Sequence, residues 1–152
     1  MRRCLKRCLL AQVWVPMRLG DQHILSTSTC EQPYLPDEML AGYREISRSF
    51  VFPTERRSGS FLGLLGRVFI SKVPERTSNV SYYNKIKYLQ ADHAAQHEVH
   101  GSIAVPVFDS PEMSCCAVLE LVTPKEKSNF NAELETVCNA LQVSIPFPFL
   151  YC

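Results

Sequence analysis

Two short apolar runs near the start of the chain are separated by turn residues, which predicts a β-hairpin. The first run, Leu9–Met17, is rich in β-branched and aromatic residues, as strands usually are. The turn-forming segment Leu19–Asp21 follows it and leads into a second run, Gln22–Thr27. We therefore expect an antiparallel pair of strands here.

Helical spacing of apolar residues appears next. Asp37 is a candidate N-cap for a helix that ends near Arg48, with Met39, Tyr43 and Ile46 on its apolar face. Further along, the pattern predicts a helical turn through Arg67–Ile70 and a longer helix over Tyr88–His100 that closes at Gly101, with irregular chain over residues 75–86. A last helix is indicated by apolar residues four, seven and eleven positions apart. These are Phe130, Leu134, Val137 and Leu141.

Two segments between these helices are apolar on both faces, as central strands are. They are Ser102–Phe108 and Ser114–Thr123, joined by a predicted turn at residues 109–112. Pro106 lacks an N–H, so its strand needs a bulge or a free edge at that point. The order of elements predicts an α+β fold with a central antiparallel sheet and helices on its faces.

Composition agrees with one folded domain. The 152 residues are 46% hydrophobic and 20% charged, which excludes a disordered chain, and the net charge of +1 disfavours a nucleic-acid surface spread over the whole domain. No apolar run approaches the ~20 residues that cross a bilayer, so we expect no membrane contact. Seven cysteines without regular spacing predict reduced thiols in an intracellular compartment.

Catalytic and metal chemistry have weak support in the sequence. His93, His97 and His100 have the spacing of one helix face, but Ala94 stands where a zinc hydrolase of the HExxH type has its glutamate. No CxxC pair and no G-x-S-x-G elbow is present. We expect a protein that is not an enzyme and has no catalytic residue, metal site or cofactor.

Glu120 is the polar residue that most needs an explanation, because it lies within an apolar strand. A buried carboxylate requires a partner, and Arg67 is the cation that we expect to pair with it. This pair predicts either a structural salt bridge or an anion-binding anchor in a pocket between sheet and helices. Trp14, His23 and Tyr43 are candidates to line that pocket together with Arg67 and Glu120.

Several strings together resemble the N-terminal GAF-like domain of plant NIN-like proteins, which are RWP-RK transcription factors related to nodule inception. The resemblance covers Leu10 to Leu141, nearly the whole chain. The strings are LAQVWVP (Leu10–Pro16), LAGYREIS (Leu40–Ser47), GLLGRVFISKVPE (Gly63–Glu75), SNVSYY (Ser78–Tyr83), HGSIAVPVF (His100–Phe108) and SCCAVLELVT (Ser114–Thr123). Family members usually have a proline in place of Leu65, a tryptophan in place of Arg76 and an arginine in place of His100.

The resemblance implies a non-catalytic regulatory domain of a nuclear, nitrate-responsive transcription factor, with a pocket for a small anion such as nitrate. The family's RWP-RK and PB1 segments are absent from these 152 residues, so DNA binding is expected only through segments that this chain lacks. The resemblance implies a nuclear location, and without it we expect the chain in the cytoplasm. We expect an atypical N-terminus over residues 1–9, a GAF-like domain over residues 10–142 and a divergent apolar tail over residues 143–152.

Other interpretations remain open at this point. The chain is alternatively a module for homo- or hetero-association that docks or dimerises without a ligand, or a partial gene product with an alternative start. A metal-dependent enzyme built on the three histidines would require stoichiometric metal in the purified protein. The apolar tail, if exposed, would favour association between chains.

Overall fold

The computed structural model describes residues 9–29, 33–36, 38–109, 114–141 and 150–151. Its strands are β1 (Leu10–Leu19), β2 (Gln22–Ser26), β3 (Val51–Pro53), β4 (Glu75–Thr77), β5 (Gly101–Asp109), β6 (Ser114–Thr123) and β7 (Leu150–Tyr151). Its helices are α1 (Ala41–Ser47), α2 (Gly63–Ser71), α3 (Ala91–Gln96) and α4 (Asn131–Leu141). Short 3-10 turns lie at Glu38–Leu40 and Val80–Tyr82.

The described strands form one sheet in the order β3-β2-β1-β6-β5-β4, with antiparallel neighbours throughout. β7 joins β5 in parallel, opposite Val107 and Phe108. The hairpin β1–β2 and the central strands β5 and β6 are confirmed. The sheet is therefore mainly antiparallel, and its adjacent strands β5 and β6 are the two that the sequence predicts to be apolar on both faces.

Strand register decides which residues share a face. Gln12 of β1 lies opposite Glu120 of β6, which lies opposite Ala104 of β5. Because side chains alternate along a strand, these residues point to one side of the sheet and their chain neighbours point to the other. We call the side of Glu120 the helix face and the side of Leu121 the α4 face.

Each face has its own apolar core. On the helix face, side chains of α1, α2 and α3 pack with alternate residues of β1 and β6 such as Leu10, Trp14 and Val118. On the α4 face, Val137 and Cys138 pack against Leu119 and Leu121. A sheet with helices on both faces matches the architecture that the sequence predicts.

Two predicted helices have different bounds in the structure. The helix expected over Tyr88–His100 is only α3, because Glu98 adopts a positive φ of 58° that ends it before the chain enters β5. Gly101 is therefore not a helix terminus but the first residue of β5, opposite Thr123. The sequence pattern was misleading here because the apolar positions of this segment belong to a turn and a strand as well as to a helix.

Helix α2 begins earlier than predicted and contains both glycines of the GLLG string. A Cβ on Gly66 would lie 2.8 Å from the carbonyl oxygen of Pro53, so glycine at this position lets the helix approach β3 closely. The segment 75–86, expected to be irregular, holds β4 and a 3-10 turn. β3 was not predicted at all.

The remaining expectations have mixed outcomes. Asp37, the predicted N-cap, and residues 110–113, in the region of the predicted turn, lie outside the described residues. Met39 is in the 3-10 turn before α1 and is 43% exposed, so it does not belong to the apolar face that the sequence predicts for this helix. Next to Pro106 the β5–β6 register shifts between Val107 and Phe108, in accord with the predicted irregularity. Of the predicted apolar tail, the structure describes only Leu150–Tyr151, the residues of β7. In the described part of the chain, no helix is long and apolar enough to cross a membrane.

Cysteine chemistry differs from expectation at one position. Cys115 and Cys138 are free thiols. Cys116 is disulfide-bonded, so the prediction that all thiols are reduced is wrong for this residue.

Candidate functional site

The carboxyl group of Glu120 is the centre of a polar cluster inside the helix-face core. Glu120 is 0% exposed. Its Oε1 accepts hydrogen bonds from Gln12 Nε2 and from Trp14 Nε1, each at 2.9 Å. Its other oxygen, Oε2, is buried and has no hydrogen-bond partner among the described residues. Since unpartnered buried polar atoms cost free energy and are rare in folded proteins, Oε2 requires a functional or solvent explanation.

Arg44 of α1 is the buried cation of this region, and it reaches Glu120 through an intermediate side chain. Its Nη1 donates to Gln12 Oε1 and to Thr27 Oγ1, both at 2.8 Å, and its Nη2 donates to the Thr27 carbonyl at 3.1 Å. The amide of Gln12 thus stands between the guanidinium and the carboxyl group. Within the described ranges, these bonds to three neutral oxygen atoms connect α1 with β1 and with Thr27, the residue after β2.

Two tyrosine hydroxyl groups complete the cluster from the helix side. Tyr43 Oη and Tyr88 Oη are 2.6 Å apart, and both rings are buried. Burial is the largest cause that raises the pKa of Tyr43 and of Tyr88 above the ordinary value. Both phenols are therefore protonated at neutral pH.

Burial likewise governs the carboxyl group. Desolvation raises the pKa of Glu120, while the hydrogen bonds from Gln12 and Trp14 and the charge of Arg44 oppose that rise. Burial outweighs these three because two of them are bonds from neutral donors and the third acts across the Gln12 side chain. The raised pKa means that Glu120 is protonated more easily in the folded chain than in water.

A second unpartnered group lies on the same face of the sheet. Ser102 of β5 is opposite Val122, two residues along β6 from Glu120, so the two side chains are diagonal neighbours. Ser102 Oγ is buried without a hydrogen-bond partner in the described part of the chain. We call the following residues the helix-face cluster: Gln12, Trp14, Tyr43, Arg44, Tyr88, Ser102 and Glu120.

Arg67 does not belong to this cluster, and the predicted Arg67–Glu120 pair is wrong. Arg67 binds Glu75 of β4 with two bonds, Nη2 to Oε2 at 2.6 Å and Nε to Oε1 at 3.1 Å. Glu75 of β4 lies opposite Ala104 of β5, which in turn lies opposite Glu120 of β6, so Glu75 is on the same face as Glu120 but two strands away. β4 was not predicted from the sequence, so Glu75 was overlooked as the partner of Arg67.

The Arg67–Glu75 pair holds the segment that carries Tyr88. Arg67 Nη1 donates to the Lys87 carbonyl at 2.6 Å, and Tyr83 Oη donates to Glu75 Oε2 at 3.1 Å. The Tyr83 ring stacks on that of Tyr88, with centroids 5.9 Å apart. Arg67 is thus a structural clamp at the margin of the cluster.

The four histidines have different surroundings. His23 is exposed on β2, opposite Arg18, so it does not line the buried cluster. His93 packs edge-on against Phe50, and His97 packs against Tyr43, while His100 Nδ1 lies 2.7 Å from the Pro124 carbonyl oxygen. Within the described ranges, no group of three His, Cys, Asp or Glu residues is arranged to hold a metal ion.

Comparison with known proteins decides the family. The family model described as "NLP protein GAF domain" matches residues 5–146. This chain belongs to that family. A relative named "Protein NLP2" from Oryza sativa subsp. japonica is 57% identical over 133 residues, which is 88% of this chain and 14% of the rice protein. "Protein NLP8" from Arabidopsis thaliana is 56% identical over 134 residues, or 88% of this chain and 14% of that protein. The chain thus spans about one seventh of the length of the curated relatives that it matches.

Solved structures show the GAF fold. A structure described as "Structure of the GAF domain" matches with a TM-score of 0.56 at 12% identity, covering 91% of this chain and 63% of that one. A mutated NreA protein of Staphylococcus aureus, altered in its nitrate-binding site, matches with a TM-score of 0.53 at 12% identity, covering 90% and 89% of the two chains. The expectation of an α+β, GAF-like fold is confirmed.

This GAF domain also has a surface groove, which is lined by none of the residues of the helix-face cluster. The groove has a volume of about 240 Å³ and runs between the 3-10 turn Val80–Tyr82 and α3. Its lining is mostly apolar, with Val80, Ala95 and Val99. None of the five residues predicted as pocket lining contributes to it.

Sequence reasoning identified three members of the cluster and missed the others. Trp14, Tyr43 and Glu120 are brought together, whereas Gln12, Arg44, Tyr88 and Ser102 were not singled out. Gln12 could have been found by the criterion that identified Glu120, since it is a polar residue between apolar neighbours of a strand. Arg44 carried a weaker signal, because an arginine next to a predicted buried face normally points to solvent.

Proposed function

We propose that this GAF domain is a non-catalytic regulatory module that binds a small polar ligand in the helix-face cluster. The proposal rests on two buried atoms on one face of the sheet, Glu120 Oε2 and Ser102 Oγ, which have no hydrogen-bond partner among the residues that the structure describes. A ligand that satisfies them stabilises the arrangement of α1 and of the segment with Tyr88 around the sheet. Binding would thereby shift a conformational equilibrium that the rest of an NLP protein responds to.

Nitrate is the ligand that we propose to test first. The family resemblance implies nitrate-responsive transcription factors, and the described structural neighbour from Staphylococcus aureus has a nitrate-binding site on the same fold. A nuclear location and DNA binding through other segments of a longer protein belong to the same proposal. Polar hydroxyl groups of Ser102, Tyr43 and Tyr88 provide hydrogen-bond donors suited to nitrate oxygen atoms.

The thiols support a role without nucleophilic catalysis. Burial raises the pKa of Cys138 to about 11 and also raises that of Cys115, so neither thiol forms a thiolate readily at neutral pH. A nucleophilic cysteine requires the opposite shift. This environment is typical of cysteines that serve packing.

Titration calorimetry of the whole 152-residue chain with nitrate, together with thermal melts, tests the proposal. We expect measurable binding and a rise in Tm for the wild type, and an affinity at least tenfold weaker for Glu120→Ala. His23→Ala, a change on the exposed hairpin, serves as the matched control and should bind like the wild type. Absence of both heat and a Tm shift in the wild type would contradict the proposal.

Association between chains is a second candidate function, favoured by one observation. Met17 and Leu19 on the β1–β2 hairpin are 36% and 57% exposed. Exposed apolar side chains that lie close together are typical of surfaces that contact another protein. A dimer seen by light scattering without ligand, and lost in a Met17→Ser/Leu19→Ser double variant, would support it. A monomer at the same concentration would exclude it under those conditions.

A further inference from the structure

We propose that Glu120 functions as a neutral carboxylic acid whose Oε2–H donates a hydrogen bond to an acceptor oxygen of the bound ligand. The site would then bind small oxyanions through a neutral O–H donor of the protein and not through a positively charged side chain. This inference rests on the proposed function, and it adds the chemical class of the ligand and the protonation state that binding requires.

The first support is the position of positive charge around the carboxyl group. Among the described residues, no cation forms an ion pair with Glu120. Arg44 Nη1 is bonded to Gln12 Oε1, on the far side of the amide from the carboxyl group. Arg67 is paired with Glu75 of β4, two strands away from Glu120. A fully buried carboxylate without a direct cation is costly, so protonation is the cheaper state.

The second support is the asymmetry of the two carboxyl oxygens. Oε1 accepts two bonds from neutral N–H groups, as a carbonyl oxygen does, whereas Oε2 accepts none from the described part of the chain. This is the pattern expected when Oε2 carries the proton. The direction in which burial moves the pKa of Glu120 agrees with it.

The third support comes from the neighbouring hydroxyl groups. Tyr43 and Tyr88 have two hydroxyl hydrogens between them and use one in their mutual bond, so one remains for another acceptor. Ser102 offers an additional O–H on the same face. With the proton of Glu120, the cluster presents three neutral donors, which suits a small oxyanion and disfavours a cation.

The titratable and charged groups that face Glu120 permit a pH dependence with a defined sign. From α1 these are Tyr43 and Arg44, from the segment before α3 Tyr88, and from β4, beyond Ala104, Glu75 with its partner Arg67. Since the folded state holds the Glu120 proton more tightly than the unfolded chain does, its contribution to stability is complete below the unfolded pKa. That contribution is lost as the pH rises through the folded pKa, and oxyanion affinity falls over the same range.

Carbon-13 NMR of glutamate side chains in the whole chain tests the protonation state directly. The Glu120 carboxyl signal, assigned by its disappearance in Glu120→Gln, should have the chemical shift of a neutral acid at pH 7, with and without nitrate. Glu133 on α4, which pairs with Lys127 at 3.2 Å, is the matched control and should give an ionised signal that disappears in Glu133→Gln. An ionised Glu120 signal in the presence of nitrate would overturn the inference.

Ligand titrations separate this inference from the proposed function. Glu120→Gln keeps an N–H donor near the position of Oε2, so it should bind nitrate within about threefold of the wild type, whereas Glu120→Ala should lose at least tenfold. Binding of ammonium in place of nitrate, strengthening as the pH rises, would show an ionised carboxylate and contradict the inference alone. If neither probe binds, the proposed function and the donor role both fail, while the NMR signal still decides the protonation state.

Discussion

The two faces of the central sheet are built from the same strands but differ in chemistry. On the α4 face the core contains Ile103, Val105, Leu119 and Leu121, closed by α4 and by the ring of Phe130. The helix face is equally buried, but its strand residues include two polar side chains in one row and a third diagonal to them. These are Gln12, Glu120 and Ser102.

This difference distinguishes apolar residues, which the packing of the core explains, from polar residues, which packing alone does not explain. An apolar side chain at each of the three polar positions would satisfy the packing of the helix face, as it does on the α4 face. Buried polar groups, in contrast, cost free energy unless all of them are paired, and two atoms of this set are not. Departures of this kind from ordinary core composition are expected at functional sites.

The largest effect is expected from a truncation on the α4 face. Leu121 is 0% exposed and is the chain neighbour of Glu120. Leu121→Ala removes buried apolar volume and should lower the free energy of unfolding by about 2–5 kcal/mol. Denaturant unfolding at pH 6 measures this loss, and nitrate affinity of the folded protein should be unchanged.

Two other variants complete this comparison. Leu19→Ala, at a leucine that is 57% exposed, should change the free energy of unfolding by less than about 0.5 kcal/mol. Glu120→Gln should also cost little, because the amide is uncharged and has the shape of the neutral acid. If Glu120→Gln destabilises the chain as much as Leu121→Ala does, the helix face is as structural as the α4 face and our distinction between them is wrong.

An intermediate effect is expected where α2 approaches the sheet on the helix face. Gly66→Ala places a methyl group 2.8 Å from the Pro53 carbonyl oxygen, and backbone atoms cannot move aside easily. The clash should outweigh the gain of about 1 kcal/mol in helix propensity and leave a net loss of about 1–2 kcal/mol. Thermal melts of the variant measure it.

Gly42→Ala is the matched control for that substitution, since it also lies in a helix. Its methyl group would meet the imidazole of His97, at 2.6 Å from Cε1, but this half-buried side chain can change its rotamer. We therefore expect a smaller loss than for Gly66→Ala. The reverse order would show that the contact of α2 with β3 is looser than the structure indicates.

The sequence predicted the apolar framework well because strands and helices of this core have clear periodicity. The hairpin and the strands β5 and β6 were located within a few residues, and the last helix, α4, was found from four apolar positions. β3 and β4 were not predicted, because each is three residues long and is defined by its pairing in the sheet. Short edge strands carry too few residues to show a pattern.

The candidate site was predictable only in part, for a related reason. Glu120 stood out as a carboxyl group among apolar residues, but its partners depend on register and on β4, which the sequence did not reveal. Without β4, Arg67 had no visible partner other than Glu120. The role of Tyr88 depends on a contact with Tyr43, 45 positions away in the chain, and no local pattern encodes that contact.

A smaller effect than at Gly66 is expected at the edge of the helix face, where Arg67 bonds to Glu75 and to the Lys87 carbonyl. Arg67→Lys replaces a planar, two-pronged donor by a single ammonium group, so one or two of its three bonds should be lost. The side chains of the pair are 26% and 33% exposed, so we expect a loss of less than about 1 kcal/mol in unfolding free energy.

Nitrate affinity distinguishes a clamp from an anion anchor at this position. Because Arg67 binds Glu75 and not Glu120, Arg67→Lys should leave the nitrate dissociation constant within about twofold of the wild-type value. Arg57→Lys, at an exposed pair with Glu55, is the control for loss of guanidinium geometry alone. A tenfold loss of affinity in Arg67→Lys with an unchanged Tm would move the anion site from the centre of the helix face to its edge, next to β4.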